Sequence, residues 1–254
     1  MYLLLSNWHV LWFVRVAIVV VLFCVVMYRR VPRELPLFSA LIGWLAFAGM
    51  VMLWMDYSPL ISAAEYRRGI NIDTAVENTL AFAAVYELLR NRLRDYPRLN
   101  DSGMSAFRWL AIILAIMGIA LAWYIPVGQP WPIVPVRALL IRTLRTLECG
   151  LLLFIAAYCS YFRLPWRKYT LGITIGLAFY MGSSLAMNAI RAQIEPYGKT
   201  FTRYALDFSN EIVYITSAVI WLAYLLVPEE GTEPTSSNFP PHDLGAWNRE
   251  LGGF

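Results

Sequence analysis

Charged side chains interrupt otherwise apolar stretches at a few places in this chain. Those residues are where chemistry would have to reside. Arg15 stands in one such stretch and Glu77 with Asn78 in another; Arg142, Arg145 and Glu148 share a third, and Asp207, Asn210 and Glu211 a fourth. The set holds three cations and four carboxylates, a near balance that suits a mutually paired network. Arginine is the cation fitted to it, because its planar fork binds carboxylates through two bonds and stays charged. Arg145 and Glu148 are three residues apart, so on a helix they meet on one face. Asp207, Asn210 and Glu211 fall at i, i+3, i+4 and share a face as well. The network reading predicts that Arg145 or Arg142 pairs with a carboxylate from another span, Glu77 or Glu211. Two readings stay open for the set: a structural pin that holds helices in one arrangement, or a site for a ligand or ion. Glu87, with Arg90 and Arg94, is expected on a solvated face at the end of its span.

The stretches that carry these residues are membrane spans by composition. The chain has 254 residues, of which 59% are hydrophobic and 15% charged, and its mean hydropathy is +0.54. Soluble domains carry about a quarter charged residues, and a span needs ~20 apolar ones. Seven stretches qualify, at 9–28, 36–55, 73–90, 107–125, 138–162, 168–190 and 207–227. The expected fold is an all-α membrane protein, a bundle of seven transmembrane helices over 1–227, followed by a largely disordered tail over 228–254. Within that tail Leu244, Trp247 and Leu251 recur at helical spacing, which leaves a short docking helix as the alternative.

Arginine and lysine set the orientation. Arg29, Arg30, Arg33, Arg90, Arg92, Arg94, Arg98, Arg108, Arg163, Arg167 and Lys168 flank the odd-numbered connections; Arg67, Arg68, Arg137, Arg191, Lys199 and Arg203 flank the even ones. The excess places the odd connections and the tail in the cytoplasm and the N-terminus outside. Every intramembrane charge then comes early in an outside-to-inside span. All would lie in the outer half of the bilayer, with Glu148 deepest, ~15 Å below the start of its span.

The first span lacks a basic leader and a small-residue cleavage site, so it is expected to be retained. Between residues 124 and 135 four prolines forbid helix and favour a stiff connection. Trp123, Tyr124 and Trp131 beside it suit an interfacial aromatic belt. Gly172 and Gly176 permit close helix approach, read as packing inside the bundle.

Several chemistries are missing. The net charge of +4 comes from span ends and does not point to nucleic acid. Cys24, Cys149 and Cys159 lie inside spans, without metal-ligand spacing. His9 and His242 stand at opposite ends of the chain, which argues against haem, zinc and Ser–His hydrolysis. Lys168 and Lys199 lie at loops, so no retinal Schiff base is expected in span seven. No phosphate-binding loop, dinucleotide fingerprint or zinc-protease motif is found. Arg94-Asp95-Tyr96 has the wrong order for a rhodopsin-like receptor. No cofactor and no metal are expected.

Three segments carry a resemblance. Residues 142–154 read Arg-Thr-Leu-Arg-Thr-Leu-Glu-Cys-Gly-Leu-Leu-Leu-Phe, residues 161–177 include Tyr-Phe-Arg-Leu-Pro-Trp-Arg-Lys-Tyr and Leu-Gly-Ile-Thr-Ile-Gly-Leu, and residues 220–228 read Ile-Trp-Leu-Ala-Tyr-Leu-Leu-Val-Pro. This wording is similar to a family of uncharacterised seven-span membrane proteins common in Acidobacteria. The resemblance implies seven helices and a bacterial inner membrane. It implies no activity and transfers no catalytic residue.

The expected function is therefore a membrane one. A periplasm-facing module that binds or senses a small ligand comes first, working with a membrane or cytoplasmic protein partner. A transporter or proton-coupled carrier, built on mid-membrane carboxylates, and a structural subunit of a membrane complex are the alternatives. An enzyme comes last.

Overall fold

The computed structural model describes residues 2–94, 96–123, 136–162, 168–194 and 200–227. Among these, the chain forms seven α-helices and one short 3-10 turn, with no strand. They are α1 (Tyr2–Tyr28), α2 (Pro36–Tyr57), α3 (Ala63–Leu93), α4 (Pro97–Trp123), α5 (Val136–Tyr161), α6 (Lys168–Ile194) and α7 (Thr200–Leu226), with the 3-10 turn over Val31–Arg33 between α1 and α2. The tail over 228–254 and the proline-rich segment over 124–135 lie outside the described residues, as does the side chain of Arg142.

Local sequence sets several helix starts. Pro36 opens α2, where its missing N–H is no loss. Pro97 opens α4 in the same way. Ser62 and Glu65 form a reciprocal capping box at the start of α3. The Ser62 hydroxyl and backbone N–H both donate to Glu65 Oε2, which holds the exposed Glu65 carboxyl below the usual carboxylate range.

Packing then closes a ring. α1 lies between α2 and α7, α7 against α6, α6 against α5, α5 against α3, and α3 against α2. α4 packs on the outside of this ring, against α5 and α3. The tightest seam joins α6 and α7. A Cβ at Gly172 would run into the Tyr224 ring, and one at Gly176 into the indole of Trp221. The same indole donates to the carbonyl of Ile173 at 3.2 Å. The glycine pair therefore faces a neighbouring helix of the same chain. One continuous core, including Leu22, Phe38, Leu88, Leu151, Leu177 and Trp221, runs through the bundle.

The outer surface is apolar. Phe13, Met50, Trp54, Ile116, Leu153 and Val219 are all exposed. Five helices are long and apolar enough to cross a membrane, over Val10–Tyr28, Pro36–Tyr57, Thr143–Tyr161, Lys168–Met187 and Ala205–Leu226. The chain is thus an all-helical protein with the surface and spans of a membrane protein. α3 and α4 are not among the five. The stretch 73–90 of α3 carries Asp73, Glu77, Glu87 and Arg90, too many charges for composition alone to mark it as a span. The apolar half of α4 extends past Met117, the last of its described side chains.

Candidate functional site

Six helices surround the middle of the ring, and five of them place an ionisable or phenolic group there. α5 supplies the centre. Its Arg145 is 4% exposed and its Glu148 is fully buried. The i, i+3 spacing lets Arg145 Nη1 donate to Glu148 Oε2 at 3.0 Å. The other terminal nitrogen, Nη2, donates to Glu77 Oε1 of α3 at 2.6 Å. Tyr180 of α6 donates its hydroxyl to the same Glu77 oxygen at 2.6 Å and accepts from Arg145 Nη2 at 3.3 Å. The Arg145 guanidinium also lies over the Tyr180 ring, 4.9 Å from its centroid.

A second half mirrors this one across a pair of tyrosines. Arg15 of α1 donates through Nη1 to both oxygens of Glu211 on α7, at 2.9 and 3.2 Å. Its guanidinium lies 4.2 Å from the centroid of the Tyr214 ring, also on α7. Tyr214 meets Tyr180 edge to face, with centroids 5.4 Å apart. The contacts run unbroken from Glu211 through Arg15, Tyr214, Tyr180, Glu77 and Arg145 to Glu148. An arginine over a tyrosine face gains from the ring quadrupole, more for the buried Arg145 than for the partly exposed Arg15.

The arrangement leaves some polar atoms over. Glu148 Oε1, Arg145 Nε, Tyr214 Oη and Asn78 Oδ1 are buried and form no hydrogen bond with a described residue. Asn78 turns its amide to its own helix, Nδ2 donating to the Thr74 carbonyl at 2.7 Å. Asp207 and Asn210 stand half-buried on α7, toward its start from Glu211. No described hydrogen bond joins Asn210 to the cluster.

Three participants are missing from the expected set. Tyr180 and Tyr214 sit in apolar stretches and read as core; the need of a buried phenol for a partner is the signal for Tyr180, whereas Tyr214 takes part through its ring face. Asp73 of α3 stands at the edge of the expected span 73–90 and is not among the expected network residues. It accepts from the Trp44 indole of α2 at 3.0 Å, which brings α2 to the cluster's flank.

Glu87 requires a correction. It is buried, not on a solvated face. Its two oxygens accept from the backbone nitrogens of Leu37 and Phe38, each at 2.9 Å. The reason lies at the start of α2, where Leu35 offers no side-chain cap. The first turn of a helix has N–H groups without partners and the positive end of the helix dipole. A carboxylate from α3 meets both needs.

No family model, no curated protein and no solved structure matches this chain.

Proposed function

We propose that this chain is a seven-span protein of a bacterial inner membrane, N-terminus in the periplasm and tail in the cytoplasm, whose central network binds a small cation. In this reading it is a binding or sensing module that passes occupancy to a membrane or cytoplasmic partner. α3 and α4 complete the seven spans, α3 by turning Glu77, Asn78 and Glu87 into the bundle. The arginine excess on the odd connections supports the orientation.

One observation carries the functional reading. Three carboxylates, Glu77, Glu148 and Glu211, share two guanidinium groups, those of Arg15 and Arg145. Among the described residues that leaves one negative charge over in the bundle interior, and an uncompensated buried charge is costly. A purely structural pin has no need of the surplus. Glu148 Oε1, on the carboxylate that the shared Arg145 serves, is an acceptor without a described partner, which suits a ligand that is positively charged and donates a hydrogen bond, such as a small amine.

The same inequality favours a second reading, a proton-coupled carrier, since a proton is the smallest cation that could neutralise Glu148. Two measurements on wild-type protein and Glu148→Gln separate these. Thermal melts in detergent with a series of primary amines, guanidines and monovalent cations test binding. A pH-sensitive dye inside proteoliposomes tests proton movement. A stabilising cation whose effect is lost in Glu148→Gln supports the binding module. Proton flux lost in that variant supports the carrier. If neither signal depends on Glu148, both readings fail and the network is a structural pin, as a subunit of a larger complex would need.

A further inference from the structure

A cavity of about 480 Å³ opens between α3 and α4, away from the central network. Its volume lies in the range of ligand pockets, about 300–1,000 Å³. Tyr86 and Arg90 line it from one face of α3. Asp101, Met104, Ser105 and Arg108 line it from one face of α4. These α4 residues fall at i, i+3, i+4, i+7, so a single stripe presents them. Arg90, Asp101 and Arg108 are exposed, and no ion pair or hydrogen bond joins any of them to another described residue. Two guanidinium groups and one carboxylate therefore face one cavity with their charges unspent on each other.

The stripe continues along α4 in a different chemistry. Trp109, Ile112, Ile113, Ile116 and Met117 are all exposed, at i, i+3, i+4, i+7, i+8. Along the axis the order is acid at 101, hydroxyl at 105, base at 108, then two turns of bare apolar surface. Asp101 and Arg108 stand ~10 Å apart along the helix, a gap that their side chains and a headgroup between them can close.

We propose that this cavity is a binding site for a phospholipid whose headgroup carries a primary ammonium beside its phosphate. Arg90 and Arg108 hold the phosphate, with Ser105 able to donate to it. Asp101 holds the ammonium, and the acyl chains lie along Trp109 to Met117. The match is one of sequence order. Ammonium, phosphate and acyl chain follow one another in the lipid as acid, base and apolar surface do on α4. The planar fork of a guanidinium group suits phosphate better than a point charge would, and the cavity offers two. The carboxylate is what distinguishes this headgroup from an anionic one, which Asp101 would repel. The site rests on α4 crossing the membrane and is independent of the central network, so either can fail alone.

Native mass spectrometry of the full chain in detergent tests it, after delipidation and addition of defined lipids. Phosphatidylethanolamine should be retained more strongly than phosphatidylglycerol, which lacks the ammonium, and phosphatidylcholine, whose ammonium cannot donate. Arg90→Gln with Arg108→Gln should weaken retention roughly tenfold or more. Asp101→Asn is the second variant. It should keep the lipid but abolish the preference for phosphatidylethanolamine over phosphatidylglycerol, a change that loss of fold would not mimic. Equal retention of all three lipids by wild-type protein would overturn the proposal. So would retention unaffected by the arginine pair. Displacement of the lipid by millimolar inorganic phosphate, or binding of phosphate alone at the same affinity, would assign the cavity to a soluble anion instead.

Discussion

Arg145 Nη2 lies 2.6 Å from Glu77 Oε1 while its Nη1 lies 3.0 Å from Glu148 Oε2, so one guanidinium joins a partner from its own helix to one from α3. The two bonds differ in kind. The Glu148 contact is local and would exist on an isolated helix. The Glu77 contact exists only when α3 and α5 are packed, and it fixes their relative height.

Removing that guanidinium strands two carboxylates in the interior. Arg145→Met should destabilise the bundle by about 3–5 kcal/mol, the loss seen when one partner of a buried pair is deleted. Adding Glu77→Gln and Glu148→Gln to the same chain should recover most of it. Thermal melts of the single and triple variants in one detergent decide this. A triple variant no more stable than Arg145→Met would show that the carboxylates are not what suffers.

Arg15 and Glu211 join α1 to α7, the seam that closes the ring. Their side chains are 19% and 11% exposed, so neither is fully dry. A double-mutant cycle with Arg15→Gln and Glu211→Gln should give a coupling energy within roughly 0.5–3 kcal/mol. A coupling near zero would mean that water already screens the pair.

Glu87 caps α2 from another helix. Glu87→Ala leaves the buried Phe38 N–H and the partly buried Leu37 N–H without an acceptor and should cost about 1–3 kcal/mol for the first and less for the second. Glu87→Gln keeps one acceptor oxygen and should lose less. Hydrogen exchange at the Leu37 and Phe38 amides should speed up in the alanine variant ahead of the rest of α2. Unchanged exchange at those two amides would refute the capping role.

Reporter fusions decide the membrane topology. Fusions within residues 95–104 and after Val227 should report from the cytoplasm, and fusions within 127–136 from the periplasm. A cytoplasmic signal from 127–136 would remove α4 from the spans and with it the lipid site. A periplasmic signal after Val227 would reverse the orientation or change the number of spans.

Local rules determined much of this protein. Runs of apolar residues interrupted by arginines marked the helices, because each span must satisfy its own backbone in lipid. The i, i+3 spacing of Arg145 and Glu148 foretold their contact, since helical geometry alone creates it. Pro36, Pro97 and the Ser62–Glu65 pair set helix starts by equally local means. Partners from different helices were another matter. The balance of intramembrane charges named Glu77 and Glu211 as acceptors for arginine, but only the ring order of the helices decided that Arg145 takes Glu77 while Arg15 takes Glu211. Glu87 misled for a related cause. Its sequence neighbours Arg90 and Arg94 suggest a solvated face, whereas its actual partners, the amides of Leu37 and Phe38, are some fifty residues away. Tyr180 and Tyr214 read as core until packing set their hydroxyls and ring faces among charges. Sequence spacing encodes what one helix does with itself. Which helix stands beside which, and at what height, follows from side-chain packing such as Gly172 and Gly176 against Tyr224 and Trp221, and only the folded bundle expresses it.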